Sequence, residues 1–105
     1  MTKISRIPLA EHERENLKEA FWQVLVRLRK TRDIETLLIN LLTSTEVEMF
    51  SKRLRIVKLL LHGSTYAEIR RELKVTDYPI TRLSNTLHAD RRFGAILKNF
   101  LREIS

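Results

Sequence analysis

An all-α domain is what this sequence predicts, and three features predict it. Helix-breaking residues are scarce, with two prolines and two glycines in 105 residues. Apolar residues recur three and four apart along most of the chain, which is the spacing of one helix face. Clusters of β-branched residues, the mark of strands, are few. A chain of this length supports one hydrophobic core, so a single domain over 1–105 is expected.

The first helix is predicted from about Leu9 to Lys30, because Leu17, Phe21, Val24, Leu25 and Leu28 fall on one face. Pro8 suits its entrance, where a missing N–H does little harm. A second, short helix is expected from Asp33, a favoured N-cap, to Leu42. Ile34, Leu37, Leu38, Leu41 and Leu42 occupy so much of its circumference that little of it is expected to face water. Thr43-Ser44-Thr45-Glu46-Val47-Glu48 opens the third helix, with a capping box made either by Thr43 and Glu46 or by Thr45 and Glu48. Phe50, Leu54, Val57 and Leu61 continue it, and His62-Gly63 ends it, since glycine takes the left-handed conformation at low cost. Lys52, Arg53, Arg55 and Lys58 ride on this helix.

Tyr66 to Leu73 forms a fourth helix too short to be stable alone. Lys74-Val75-Thr76 separates it from a fifth, which begins at Asp77 behind Thr76 as N-cap and tolerates Pro79 in its first turn. Ile69, Leu73, Val75, Ile80 and Leu83 point inward, with Leu87 further along. After a polar joint at Ala89-Asp90-Arg91-Arg92, the last helix carries Phe93, Ile96, Leu97, Phe100, Leu101 and Ile104. So regular a stripe needs a large apolar surface, which either a second subunit or the rest of the same domain can supply.

Twenty Lys and Arg against 13 Asp and Glu leave a net charge of +7, so the expected partner is an anion. The surplus is spread, at +2 over each of 1–42, 43–64 and 65–92 and +1 over 93–105, and charge alone therefore does not locate a site. The absence of cysteine excludes a disulfide scaffold, a thiol nucleophile and every Cys-ligated metal site. Two glycines cannot build a dinucleotide fingerprint or a phosphate loop. His12, His62 and His88 lack the spacing of a zinc helix, and Glu11, Glu13, Glu15, Glu46 and Glu48 fall where helix starts favour acids. No set of nucleophile, base and orienting group can be assembled, so neither a metal nor catalysis is expected. The N-terminal MTKISRIPLAEHERE has no apolar core, and the longest apolar stretch, Leu37 to Leu42, is interrupted by Asn40 and far too short to span a bilayer. A cytoplasmic chain with no membrane partner is expected.

Two short helices around a three-residue turn, over about 65–88, are the pattern of a helix-turn-helix, whose second helix lies in the DNA major groove. A plain helical corner has the same spacing. Arg70 stands where a small residue usually lets the helices approach. Lys74 stands where glycine usually makes the turn, at a cost of up to about 1 kcal/mol if its φ is positive.

The run from Leu42-Thr43-Ser44-Thr45-Glu46-Val47-Glu48 through Arg53-Leu54-Arg55-Ile56-Val57 to Leu60-Leu61-His62-Gly63 resembles the third helix of the bacterial Trp repressor family. Ile80-Thr81-Arg82-Leu83-Ser84-Asn85-Thr86-Leu87 is similar to that family's recognition helix, and Arg70-Arg71-Glu72-Leu73 fits its pattern of a basic residue at that place. The likeness spans about Leu42 to Leu87. It implies a six-helix subunit intertwined with its twin as a homodimer, the first, second and last helices forming a shared core. It also implies a transcriptional repressor that binds double-stranded DNA at a palindromic operator. Carried over residue by residue, the DNA-binding surface comprises Tyr66, Ala67 and Arg70 on the first short helix and Asp77, Tyr78, Pro79 and Thr81 at the start of the second. Arg70 is expected to take guanine O6 and N7 or a phosphate, Thr81 and Asn85 to bond phosphates, and Arg53 and Lys74 to add charge. Asp77 repels phosphate, and its expected role is a helix-start charge rather than a reader of cytosine N4.

The resemblance further implies a small effector, L-tryptophan, held between two arginines with hydroxyls nearby. The matching residues are Arg53, Arg82, Thr43 and Thr86. The glycine that makes room for the indole corresponds to Leu83, and forcing an indole past a leucine costs on the order of 1 to 3 kcal/mol. The expectation is a chain that works without a cofactor, with Leu83 as a built-in plug, or one that takes another small molecule. The competing function is a helical module that binds a protein or structured RNA through its basic face without operator binding. Steep salt dependence is the signature of the DNA regulator.

Overall fold

The computed structural model describes residues 7–104, with side chains up to residue 100. Six helices and no strand are found among the described residues: α1 (Glu11–Arg27), α2 (Thr31–Leu41), α3 (Ser44–Leu61), α4 (Tyr66–Leu73), α5 (Asp77–Ala89) and α6 (Arg91–Ile104). The chain divides into two compact units, Met1–Val47 and Glu48–Ser105.

In the first unit, α1 is shorter than its apolar spacing. It opens after Ala10, whose N–H donates to Glu13 Oε1 at 2.9 Å, while the Arg14 guanidinium donates to the Leu9 carbonyl at 3.0 Å. It stops at Arg27 because Leu28 is extended, with φ −75° and ψ 132°. α2 starts three residues ahead of where an Asp33 N-cap would place it. Lys30 holds the cap position without a side-chain bond, and Asp33 falls within the first turn. There the acid lies at the positive end of the helix dipole, so it favours a helix start from inside the turn as well as from the cap. The apolar face of α2, expected to be covered, is open in the single chain. No residue of α1 or α2 is buried, Leu37, Leu38 and Leu42 are half-buried, and Leu41 is exposed. Two helices cannot by themselves enclose a core. At the start of α3 the Thr43 hydroxyl accepts from the Glu46 N–H at 3.1 Å and the Glu46 carboxylate from the Thr43 N–H at 2.8 Å, so the capping box belongs to that pair.

The second unit is built on three isoleucines. Ile56 of α3, Ile69 of α4 and Ile80 of α5 are buried together, with Leu59, Leu60, Tyr66, Leu73, Val75 and Leu83 packed around them. Full burial of one such side chain stabilises by about 1.5–3 kcal/mol. The inward set expected for α4 and α5 therefore packs as the spacing implies. α3 differs: Val57 is buried, but Phe50 and Leu54 are exposed, because the helix turns Ile56, Leu59 and Leu60 toward α4 and α5. α3 ends in a Schellman turn, with Gly63 at φ +84°, Ser64 N–H donating to the Leu59 carbonyl at 3.0 Å and Gly63 N–H to the Leu60 carbonyl at 3.1 Å. α5 packs on both α4 and α6. The joint expected over Ala89–Arg92 is Asp90 alone, because one aspartate ends α5 and caps α6. Its N–H donates to the Thr86 carbonyl at 2.8 Å and its carboxylate accepts from the Phe93 N–H at 3.1 Å. On α6, Phe93 and Leu97 are half-buried and Ile96 and Phe100 exposed. The side chains of Leu101 and Ile104 lie outside the described residues.

Candidate nucleic-acid interface

A full capping box fixes the start of α4. The Thr65 hydroxyl accepts from the Glu68 N–H at 3.1 Å, and Glu68 Oε1 accepts from the Thr65 N–H at 2.8 Å. The Thr65 N–H, first, and the Thr65 hydroxyl, second, hold the Glu68 carboxyl below its ordinary range, because hydrogen bonds to the carboxylate favour its charged form. At the other end, Lys74 caps α4 in the left-handed conformation, φ 57° and ψ 47°, and its N–H returns to the Arg70 carbonyl at 2.9 Å. With a lysine where glycine is at ease, the turn carries a strain of up to about 1 kcal/mol. Thr76 holds the N-cap position of α5 but makes no side-chain cap bond, and Pro79 sits in the first turn, where its missing N–H has no helical partner to lose.

The turn brings together two residues seven apart. The Arg70 guanidinium donates from Nη1 to the Asp77 carboxylate in an ion pair. Both side chains stay open to solvent, at 42% for Arg70 and 60% for Asp77. A pair this exposed contributes at most about 1 kcal/mol. Asp77 thus stands in the first turn of α5, as expected of a helix-start acid, and also holds Arg70. The spacing gave no sign of that pairing, which depends on the backbone at Lys74.

Of the other expected surface residues, Ala67, Lys74, Thr81 and Asn85 are exposed, and Tyr78 is 74% exposed at the tip of α5. Tyr66 is half-buried against the isoleucine core, and Pro79 and Arg53 are half-buried.

Pro79 and Arg53 share a cleft of about 240 Å³ between α3 and the start of α5, lined by Met49, Lys52, Arg53, Ile56, Val75, Tyr78, Pro79, Arg82 and Leu83. Of the five residues expected around an effector, it brings together Arg53, Arg82 and Leu83. Thr86 turns to its own helix, its hydroxyl donating to the Arg82 carbonyl at 3.0 Å. Thr43 belongs to the first unit, where it caps α3. Met49 was not expected here and Lys52 was expected only as a charge on α3, although Met49, Lys52, Arg53 and Ile56 follow the spacing of one helix face. Lys52 faces Glu48 at 3.9 Å. Among the described residues, no carboxylate lies within 4.0 Å of Arg53 or Arg82, and the Arg53 guanidinium sits 5.7 Å from the centroid of the Phe50 ring. Cations at the rim and apolar side chains below them suit a small anion with an apolar body. The volume lies under the roughly 300–1,000 Å³ of common small-molecule sites, and Leu83 forms part of the wall.

Among the described residues, no group of acidic and histidine side chains is placed to hold a metal, and no helix is long and apolar enough to cross a membrane. In comparisons with known proteins, residues 15–101 match the family model described as Trp repressor protein. No curated protein and no solved structure matches the chain.

Proposed function

Because the chain belongs to the Trp repressor family, a family of DNA-binding regulators rather than enzymes, we propose that it acts as a dimeric repressor reading a palindromic operator. The observation that carries this reading is the burial of Ile69 and Ile80 against Ile56, which locks α4 and α5 into one body. Asp77 and Tyr78, the first two residues of α5, stay outside that body. α4 and α5 are then a helix-turn-helix, and α5 is the element that enters the major groove. Tyr66, Ala67, Arg70, Asp77, Tyr78, Pro79 and Thr81 face the duplex, while Asn85, Arg53 and Lys74 serve the phosphates.

The dimer is supported by the apolar surface of the first unit. Phe21 is 39% and Trp22 52% exposed, and no residue of α1 or α2 is buried. Contiguous faces of that kind are rare on monomers and mark association surfaces. Two copies would cover them and set two α5 helices about one DNA turn apart.

For the effector, the reading is that Leu83 plugs the cleft and that the heads are positioned without L-tryptophan. Its support is that Leu83 contributes both to the wall of the cleft and to the packing around the isoleucines. Selection from random duplexes, with and without L-tryptophan, tests the whole reading. The expected result is a palindromic site enriched equally in both arms, with affinity falling steeply as salt rises. Failure to enrich any duplex overturns the regulator, and enrichment only with L-tryptophan overturns the plug.

A further inference from the structure

Between the end of α3, the end of α5 and the start of α6, the second unit holds another cavity, of about 300 Å³, lined by Leu61, Leu87, Arg91, Gly94, Ala95 and Lys98. Leu87 stands about 15 Å along α5 from Asp77, at 1.5 Å per residue, so this cavity is remote from the tip of that helix. The wall that α6 contributes is not its apolar stripe. Arg91, Gly94, Ala95 and Lys98 recur at i, i+3, i+4 and i+7 and share one face, with a cation at each end and two small residues between, while Phe93, Ile96, Leu97 and Phe100 lie on the other side. Neither backbone nor packing demands a glycine at 94. Positive φ is confined to Gly63 among the glycines, and a Cβ on Gly94 would meet only Leu87 Cδ2, at 3.6 Å, an ordinary contact. Glycine inside a helix destabilises it relative to alanine, so what the fold gains from Gly94 is room in the cavity.

Arg91 and Lys98 are exposed, and among the described residues neither is paired with a carboxylate. The acid beside them, Asp90, is engaged at the Phe93 N–H. Leu61 and Leu87, both half-buried, supply an apolar wall. We propose that this cavity binds a small organic anion, its apolar body against Leu61 and Leu87 and its head between the Arg91 guanidinium and the Lys98 ammonium. A guanidinium takes two oxygens of a carboxylate or phosphate side by side, and a lysine adds a mobile point charge. The volume reaches the lower bound of common small-molecule sites, about 300 Å³. A second copy of this chain is the poorer occupant, because an apolar helix face laid over the cavity would take both cations from water without a counter-charge.

Titration of the full, isotope-labelled chain with phenyl phosphate and with phenylacetate, followed by amide NMR shifts, tests this. At least one probe should move the Leu87, Gly94, Ala95 and Lys98 signals saturably, and the tighter of the two identifies the head group. Phenylethanol, with the same ring and no charge, should leave those signals in place. Lys98→Glu, a change at an exposed position, should weaken the anion on the order of 10- to 150-fold. Gly94→Leu should fill the room and abolish the shifts while melting no lower than the wild type, because leucine favours a helix more than glycine does. Shifts that gather instead around Met49 and Arg82 put the anion in the α3–α5 cleft and overturn this site. So does the absence of any saturable shift, or binding that is indifferent to the charge on the probe and at position 98.

Discussion

Replacing Leu83 by alanine opens the cleft between α3 and α5, and the packing of that side chain sets the size of the effect. Leu83 rests on the Ile56, Ile69 and Ile80 core on one side and lines the 240 Å³ cleft on the other. Truncation therefore enlarges an existing opening rather than leaving a sealed void, which puts the loss near the low end for leucine, about 2 kcal/mol. For a domain of this size that lowers Tm by about 8–16 °C. A ligand that binds only the folded state stabilises by about 2.7 kcal/mol at 100 times its Kd, enough to offset the loss. Thermal unfolding followed by circular dichroism, with and without L-tryptophan, should leave the wild-type midpoint unmoved. The Leu83→Ala midpoint should start low and climb saturably with the ligand. A saturable climb in the wild type would refute the plug, since an indole would then fit beside the intact leucine. A variant that ignores L-tryptophan would refute the cleft as its site.

Removing the cap of α4 by Thr65→Ala should cost about 1 kcal/mol, read as a lower urea midpoint with an unchanged m value. Glu68 extends that prediction to pH. Its folded-state pKa lies below the unfolded one, so its contribution is complete above the unfolded value and is lost as pH falls through the folded value. Glu68→Gln should flatten the acid side of the stability profile, and an unchanged acid side would show that the box does not operate in solution. Lys74→Gly should relieve the left-handed turn and raise stability by up to about 1 kcal/mol, less the entropy glycine adds to the unfolded chain. A fall in the urea midpoint would mean that the lysine side chain contributes more than its backbone loses. Phe21→Lys places a charge on the open face of α1 and should turn a dimer into a monomer in sedimentation equilibrium, and a wild type that already sediments as a monomer would sink the proposed association.

The second unit was the more legible half of the fold, for a physical reason. Ile69, Leu73, Val75, Ile80 and Leu83 are spaced so that two short helices bury them on facing sides, and Gly63 marks the end of α3 by its backbone alone. The start of α2 was less legible, because an acid such as Asp33 favours a helix from the cap or from inside the first turn. The open face of α2 escaped for another reason: periodicity reports which side is apolar and does not report what covers it. At the candidate site, Arg53, Arg82 and Leu83 could be grouped only through the family likeness. The bond between Arg70 and Asp77 needs a positive φ at Lys74, a conformation that a lysine does not advertise.

Asp90 gives the second unit a fixed phase. With one residue ending α5 and capping α6, the two helices share no slack segment that could absorb a change in chain length. An inserted residue at that point would divide the two roles of Asp90, leaving either the end of α5 or the start of α6 without its present bond. The count of residues between Leu87 and Phe93 should therefore tolerate less change than the identities of the residues there other than Asp90.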